Sequence, residues 1–225
     1  MQDRKHLFGE YVERGEYHRY LDPNWSYYPY YIAKMNYVLS YIKNNVNQNS
    51  KILDVGCGDG VLVEKLRKDG YKNTFGIDSN FASKDVILGN ILNLPFKNKS
   101  FDIVLCLDVL EHLTFMEQKK ALLEIQRVVK KQKMAIFSIP NLAHLKSRIL
   151  FLLKGELNRT SRIERHPGDR PIKEFINLIE KTGFEIIERK GFLFFSKLKF
   201  LNPIIHHFPD LCLMNIFICK STSTP

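Results

Sequence analysis

The stretch DVGCGDG, residues 54–60, constrains the fold of this chain more than any other part of it. Alternate positions are glycine, at Gly56, Gly58 and Gly60, directly after the apolar run KILDV (51–55). Glycines spaced in this way permit a sharp turn and let a ligand approach the backbone closely. Residues 61–68 then follow a helical pattern. The sequence therefore predicts a buried strand, a ligand-binding turn and a helix in direct succession.

The rest of the chain alternates between strand and helix periods. Further strands are predicted at 73–78, 85–88, 101–107, 133–139, 185–191 and 214–220. Amphipathic helices are predicted at 114–131 and 171–181. This alternation indicates an α/β fold, a Rossmann-like doubly wound, mostly parallel seven-stranded sheet with helices on both faces. We expect residues 1–50 to form an N-terminal helical cap and residues 51–225 to form one domain.

Composition excludes several classes of protein. Residues 1–20 are too polar for a signal peptide, and no apolar run approaches the length of a membrane span. The four cysteines lie too far apart for a paired-thiol or zinc motif, so reduced thiols are expected. These features predict a cytoplasmic protein without a transmembrane segment, and they leave a homo-oligomer open.

The net charge of +10 is unevenly distributed. Between residues 146 and 173 there are eight Lys or Arg against three Asp or Glu, which is half of the total excess. In the predicted sheet, ligands bind beyond the carboxyl ends of the strands, and this stretch leaves from that rim. We call residues 141–172 the basic segment and expect it to act as a lid that binds an anionic acceptor. The alternative is a solvated loop.

The glycine pattern disfavours phosphate-binding motifs. A P-loop needs a Lys after its last glycine, where this chain has Val61, and a dinucleotide fingerprint needs its third glycine one place later than Gly60. Asp54 precedes the turn, where a carboxylate favours a cationic ligand. Asp78 follows Gly58 by 20 residues, where an acid typically binds ribose hydroxyls. The pattern therefore favours a ligand that has a ribose and a positive charge and lacks phosphate.

These residues resemble the class I S-adenosylmethionine-dependent methyltransferases, whose cofactor has those three properties. The resemblance spans about residues 49–190 and includes GID (76–78), LPFKNKSFDIVLCLDVLEHL (94–113) and RPIKEFINLIEKTGFEI (170–186), the last typical of the small-molecule subgroup. It implies S-adenosyl-L-methionine as the cofactor. The residues that it implies for cofactor binding are Asp54, Gly56, Cys57, Gly58, Gly60, Asp78, Ser79, Asn90, Ile91 and Leu107.

By the same resemblance, Asp78 binds the ribose, and Ser79 and the pair Asn90–Ile91 flank the adenine. Asn90 departs from the Asp that many members have there, although an amide oxygen can still accept a hydrogen bond from the adenine amino group. Two alternatives stay open. Cys57 can simply be a small side chain in the turn, and Asn90 can cap the local backbone.

The run DVLEHL (108–113) holds the candidate catalytic residues. The resemblance implies either an architectural Glu-His pair or, as in ubiquinone-pathway and small-RNA 3′-end methyltransferases, a divalent-metal site. This chain has Asp108 where those enzymes usually have Glu. We expect Glu111, His112 and His166 to be catalytic, with a histidine as general base and no metal. The alternative is a Mg²⁺ or Mn²⁺ site formed by Asp108, Glu111, His112 and His166.

The predicted function is S-adenosylmethionine-dependent O-methylation of a small or carrier-linked, anionic acceptor. The motif that base-amino methyltransferases carry after the fourth strand is replaced by Leu-Asp-Val at 107–109. Three alternatives remain: a metal-assisted methyltransferase for RNA 3′ ends or polyprenyl phenols, a module that binds the cofactor without turnover, and a dinucleotide-dependent oxidoreductase. Nucleic acid is not the favoured partner, because no RNA-binding motif is recognised.

Replacing Asp78 tests the cofactor assignment. Asp78→Ala removes the acceptor for the ribose hydroxyls, and each charge-assisted hydrogen bond contributes roughly 1.5–3 kcal/mol. We expect most of the affinity for S-adenosylmethionine to be lost in a calorimetric titration. Unchanged affinity would contradict the assignment.

Overall fold

Seven strands form a single sheet in the order β3-β2-β1-β4-β5-β7-β6. The computed structural model describes residues 24, 27–193 and 202–222. The strands are β1 Ile52–Val55, β2 Thr74–Asp78, β3 Val86–Leu88, β4 Phe101–Leu107, β5 Val129–Pro140, β6 Phe184–Phe192 and β7 Met214–Ser221. The helices are α1 Tyr28–Asn45, α2 Val61–Lys68, α3 Phe115–Val128, α4 Leu145–Lys154, α5 Ile172–Lys181 and α6 Asn202–Ile205. Short 3₁₀ turns span Leu110–His112 and Pro209–Leu211.

The strands from β1 to β5 pair in parallel, whereas β7 is antiparallel to both β5 and β6. All four residues of β1 are buried, as expected for a central strand covered on both faces. On one face, α3 and α5 pack side chains such as Leu122 and Phe175 against the sheet. On the other face, α1 and α2 pack side chains such as Val38 and Leu66. The predicted mostly parallel, doubly wound sheet is confirmed.

The largest difference from the predicted boundaries lies between α3 and β5. The helix predicted over 114–131 begins after Thr114, which forms a capping box with Glu117, but it ends at Val128. The next residue, Val129, already pairs with Phe101 of β4, and β5 therefore starts four residues before the predicted strand. Valine is a β-branched residue with a preference for strands, and strand pairing here overrides the helical periodicity.

Helix α1 is joined to the carboxyl end of the sheet by a partly buried ion pair. The Lys34 ammonium, whose side chain is 3% exposed, contacts the Asp108 carboxylate directly after β4. Tyr27, just before α1, donates a hydrogen bond of 3.1 Å to the same carboxylate, and Ser138 of β5 donates another. This part of the proposed N-terminal cap therefore lies at the edge where ligands bind in such folds.

The described part of residues 1–50 comprises Asn24 and 27–50, so the rest of the proposed cap lies outside the described residues. Among the described helices, none combines the length and the apolar character needed to cross a membrane.

The ion pair can be tested by its effect on stability. Lys34→Met leaves the partly buried Asp108 carboxylate beside two uncharged partners, Tyr27 and Ser138. The free energy of unfolding should therefore fall by about 2–4 kcal/mol, below the range for fully buried pairs because Asp108 keeps some contact with water. Chemical denaturation measures the loss, with Lys43→Met at an exposed position of α1 as the control. The double variant Lys34→Met/Asp108→Asn should recover part of the lost free energy of unfolding. Strictly additive losses would show that the two side chains are not coupled.

Candidate functional site

The glycine-rich turn after β1 has a backbone conformation that requires glycine. Gly56, Gly58 and Gly60 have φ values of 72°, 55° and 80°, in the left-handed region that other residues rarely adopt. A Cβ atom at Gly56 would lie 2.3 Å from Val109 Cγ2, and one at Gly60 would lie 2.8 Å from Val86 Cγ2. The backbone of the turn therefore contacts Val109 and Val86 directly and leaves no room for side chains at Gly56 and Gly60.

Asp78, at the end of β2, holds this turn to the neighbouring loop. Its Oδ2 accepts a hydrogen bond of 2.9 Å from the Gly58 amide, and its Oδ1 accepts one of 2.8 Å from the Asn80 amide. Because a carboxylate has about four acceptor positions, both oxygens can still accept from hydroxyl groups. The half-buried carboxylate is therefore fixed in orientation before any ligand binds.

Asp54 is buried within β1, directly before the turn. Burial raises the pKa of its carboxyl from 3.8 to about 7; Lys34 opposes this shift, and the Asp78 carboxylate adds to it. A carboxyl group in this state is ionised only in part near neutral pH. A cation bound beside it would stabilise the ionised form, so the site is electrostatically suited to a positively charged ligand.

The remaining residues expected at the cofactor site occupy different environments. Burial strongly raises the pKa of the Cys57 thiol, so that this side chain acts as a small apolar group packed beside Gly76. Ser79 is exposed, and Leu107 is half-buried at the end of β4. The Asn90 side chain accepts a hydrogen bond of 2.8 Å from the Leu92 amide and so caps the local turn. Ile91 is buried in the core, which leaves only its backbone for contact with a ligand.

Asp108 has a role that its sequence position did not indicate. The residue adopts a φ of 56°, and its carboxylate binds Lys34, Ser138 and Tyr27. Burial opposes its ionisation, but Lys34 and the hydrogen bonds outweigh that effect and hold the pKa of Asp108 below its usual range. Its carboxylate is therefore committed to α1 and β5, which argues against its inclusion in the proposed metal site.

Three other candidates come together at the rim. Single ligand atoms of Glu111, His112 and His166 lie within 4.8 Å of one another. The two imidazole rings are in edge-to-face contact, with centroids 4.7 Å apart. Glu111 and His112 belong to the 3₁₀ turn after β4, whereas His166 arrives from the basic segment, more than 50 residues later in the chain.

The hydrogen bond of His112 defines its tautomer. Its Nδ1 lies 2.9 Å from the Arg165 carbonyl oxygen, which can only accept, so Nδ1 carries the proton and donates. Desolvation of the ring lowers the pKa of His112, and the His166 imidazole lowers it further, while the Arg165 carbonyl opposes both. His112 is therefore neutral near pH 7, and its Nε2 is free to accept a proton or to bind a metal.

Glu111 is buried, and its Oε2 has no hydrogen-bond partner among the described residues. Burial raises the pKa of Glu111 well above its usual value, and the carboxylates of Asp108 and Asp169 raise it further. Unpaired buried carboxyl groups are costly, so they are expected mainly where a proton or a cation is taken up.

Contacts that the sequence did not indicate hold the basic segment against the 3₁₀ turn. The buried Gln118 amide of α3 donates hydrogen bonds to the Leu110 and Gly168 carbonyls, at 2.8 and 2.9 Å. A Cβ atom at Gly168 would lie only 2.0 Å from that amide nitrogen, so RHPGDR needs its glycine. Asp169, with a side chain only 2% exposed, lies 3.5 Å from His166 Nδ1. The sequence His-Pro-Gly-Asp at 166–169 is the feature from which these contacts could have been predicted.

Comparison with known proteins gives a consistent result. A family model described as a methyltransferase domain matches residues 53–137. An uncharacterized protein of Methanocaldococcus jannaschii is 34% identical over 161 residues, 68% of this chain and 63% of that protein. A ubiquinone biosynthesis O-methyltransferase of Rickettsia prowazekii is 30% identical over 184 residues, 72% of this chain and 69% of that enzyme.

A solved structure, magnesium protoporphyrin IX methyltransferase from Synechocystis PCC 6803 with bound SAH, superposes with a TM-score of 0.60. The two sequences are 16% identical, and the match covers 85% of this chain and 84% of that one. At this identity the likeness supports the fold alone.

The raised pKa of Asp54 predicts a pH-dependent cost to stability. The folded state holds the Asp54 proton up to about pH 7, whereas the unfolded chain releases it near 3.8, so stability falls as pH rises across that interval. Asp54→Asn should therefore raise the free energy of unfolding at pH 8 by on the order of 2–4 kcal/mol, and by less than half of that at pH 5.

Denaturant titrations at the two pH values measure this difference. Asp102→Asn is the control with the opposite sign, because the Lys51 amide and Lys130 outweigh the effect of burial and lower the pKa of Asp102. A gain for Asp54→Asn that is equal at pH 5 and pH 8 would contradict the assignment of the cost to ionisation.

Proposed function

The chain belongs to the class I S-adenosylmethionine-dependent methyltransferases, and on that basis we propose that it transfers the methyl group to a hydroxyl of a small or carrier-linked, anionic acceptor. The observation that carries the choice of oxygen is the neutral His112 on the rim, whose Nε2 has no hydrogen-bond partner among the described residues. A hydroxyl is a weak nucleophile that gains from a base, whereas a neutral amine needs none.

S-adenosylmethionine supplies an electrophilic methyl group on a sulfonium when it is bound. The residues suited to hold it are the bare backbone of the turn at Gly56 and Gly58, the Asp54 carboxylate for its positive charge, and the Asp78 carboxylate for the ribose. Fixing donor and acceptor in line can supply about 7–11 kcal/mol of the barrier reduction. In this proposal the turn and its two acids contribute mainly such alignment.

His112 would act on the acceptor. Its Nδ1–H is held by the Arg165 carbonyl, so Nε2 would take the hydroxyl proton as the acceptor oxygen bonds to the methyl carbon and the carbon–sulfur bond breaks, which leaves a neutral thioether. His166, packed against His112, and the buried Glu111 would border the acceptor and bind its polar groups. The Rickettsia prowazekii relative, named for O-methylation in ubiquinone biosynthesis, supports oxygen as the accepting atom.

The charge of the basic segment supports an anionic acceptor. Arg162 is exposed, and the Arg165 carbonyl already reaches the site through His112. Arginine pairs well with phosphate and carboxylate groups, because its guanidinium can donate two parallel hydrogen bonds.

A second candidate is metal-assisted methyl transfer, favoured by the unpartnered Oε2 of Glu111 within reach of two imidazoles. Two nitrogen ligands and one carboxylate fit Mn²⁺ better than Mg²⁺, which prefers an all-oxygen set. The donors fit such an ion, which would bind and polarise an acceptor hydroxyl.

The reaction itself is tested with methyl-labelled S-adenosylmethionine and a small-molecule and lipid extract of cells. We expect label in an anionic or lipid-linked product, with the methyl on oxygen by NMR. Label on nitrogen or carbon would contradict the proposal, and the absence of any labelled product would favour a cofactor-binding module.

His112→Ala should lower turnover by roughly 10²–10⁴ while leaving the affinity for S-adenosylmethionine nearly unchanged. His207→Ala, at an exposed position, is the control. Exhaustive EDTA treatment separates the two candidates: surviving activity excludes the metal, whereas activity lost and then restored by Mn²⁺ supports it. Full turnover in a variant that lacks both His112 and His166 would exclude the histidine base.

Arg162→Glu/Arg165→Glu should raise the Michaelis constant for the acceptor, because two cations that attract it become repulsive. Binding of S-adenosylmethionine, measured by calorimetry, should stay as in the wild type. Lys119→Glu/Lys120→Glu on the exposed side of α3 makes the same change in net charge away from the site. Equal acceptor kinetics in both double variants would identify the basic segment as a solvated loop.

A further inference from the structure

Helix α4 exposes apolar side chains to an extent that a surface helix of a soluble domain normally does not. Leu152 is 85% exposed, Leu153 is 73% exposed, and Ile149 is 50% exposed. Across α4, all of which the structure describes, Ser147 is the one buried residue. A helix packed on a globular core buries its apolar stripe, whereas α4 exposes Ile149, Leu152 and Leu153.

Three of the exposed apolar residues lie on a single face of α4, whereas Phe151, also exposed, lies about 200° of helical rotation from Ile149. Ile149, Leu152 and Leu153 stand at i, i+3 and i+4, which places them side by side on a helix. Ser147 precedes Ile149 by two residues, or about 200° of helical rotation, and so it lies on the opposite face. The stripe of Ile149, Leu152 and Leu153 therefore points away from the body of the protein, against which Ser147 is buried.

Cationic residues border this stripe. Lys146 and Arg148 lie on either side of it, Lys154 stands at its end, and all three are exposed. The α4 sequence LKSRILFLLK contains no acidic residue. An apolar stripe between lysine and arginine side chains is the pattern of helices that lie in the interface of a bilayer with anionic headgroups.

The position of α4 connects this surface to the site. The helix begins shortly after β5 ends at the ligand-binding rim, and the Asn158 amide after it donates a hydrogen bond of 3.0 Å to Ser147 Oγ. The same segment then continues to Arg165 and His166, which contact His112. A surface that holds α4 would therefore lie next to the place where the acceptor enters.

We propose that α4 docks the protein on the surface of an anionic lipid bilayer, with Ile149, Leu152 and Leu153 inserted at headgroup depth and Lys146 and Lys154 on the phosphates. A second copy of the chain fits α4 less well, because a symmetric contact would bring cations together with no acid on α4 to pair them. The inference does not depend on the proposed acceptor.

The experiment is co-sedimentation of the full-length protein with vesicles, without cofactor or acceptor. We expect binding to phosphatidylcholine vesicles that contain phosphatidylglycerol, weaker binding to phosphatidylcholine alone, and a decrease as salt is raised. Leu152→Ser/Leu153→Ser should weaken binding by about tenfold or more. Lys146→Glu/Lys154→Glu should weaken binding to the anionic vesicles most.

The matched control is Leu123→Ser/Ile187→Ser, which removes two exposed apolar side chains from α3 and β6. All three double variants change exposed positions, so thermal unfolding and S-adenosylmethionine binding should match the wild type. The proposal is overturned if the protein ignores anionic vesicles, or if the α4 leucine variant binds them as the control does. A wild-type dimer that only the α4 leucine variant dissociates, without vesicle binding, would assign this face to a second copy instead.

Because vesicle binding is measured without turnover, its result is separate from that of the methyl-transfer assay. Vesicle binding without O-methylation would support the docking surface and contradict the proposed function. O-methylation without vesicle binding would support the proposed function and contradict the docking surface.

Discussion

The partly buried ion pair between Lys34 and Asp108 is the interaction on which the geometry of the site depends. It joins α1 to the end of β4, and the hydrogen bonds from Tyr27 and Ser138 extend the junction to β5. Asp108 adopts a left-handed conformation that a non-glycine residue keeps only when its surroundings hold it. The chain leaves Asp108 directly into the 3₁₀ turn that carries Glu111. The Lys34–Asp108 ion pair thus holds α1 over the rim and fixes the orientation of the 3₁₀ turn.

Charge is segregated at this rim. The chain as a whole is strongly basic, yet the carboxyl ends of its central strands gather acids, namely Asp54, Asp78, Asp108 and Glu111. The cations of the basic segment lie outside this group. Because low-dielectric surroundings strengthen such fields, the inner acids favour a cationic cofactor, and the proposed anionic acceptor would be attracted by the cations of the outer segment. A sulfonium donor and a negatively charged acceptor would each meet the complementary charge.

The run DVLEHL shows how far a motif can be interpreted without the fold. Its acid-x-x-Glu-His spacing was compatible with one cluster of metal ligands, yet the structure divides the run between two environments. Asp108 turns toward Lys34 on α1, whereas Glu111 and His112 turn toward His166. The tight 3₁₀ turn that begins at Leu110 makes the carboxylates of Asp108 and Glu111 point in different directions. Sequence spacing alone does not define that direction.

The local features of this protein were determined by its sequence. Glycines at 56, 58 and 60, the acids at 54 and 78, and the alternating periods were enough to predict the strands, the turn and the class of cofactor, because each follows from the residue types and their spacing along the chain. The tertiary structure decided what depends on long-range contacts: the end of α3 at Val128, the raised pKa of Asp54, and the meeting of His112 with His166 through Gln118. Burial and the pairing of distant charges arise only when the chain is folded, and a linear pattern does not contain them.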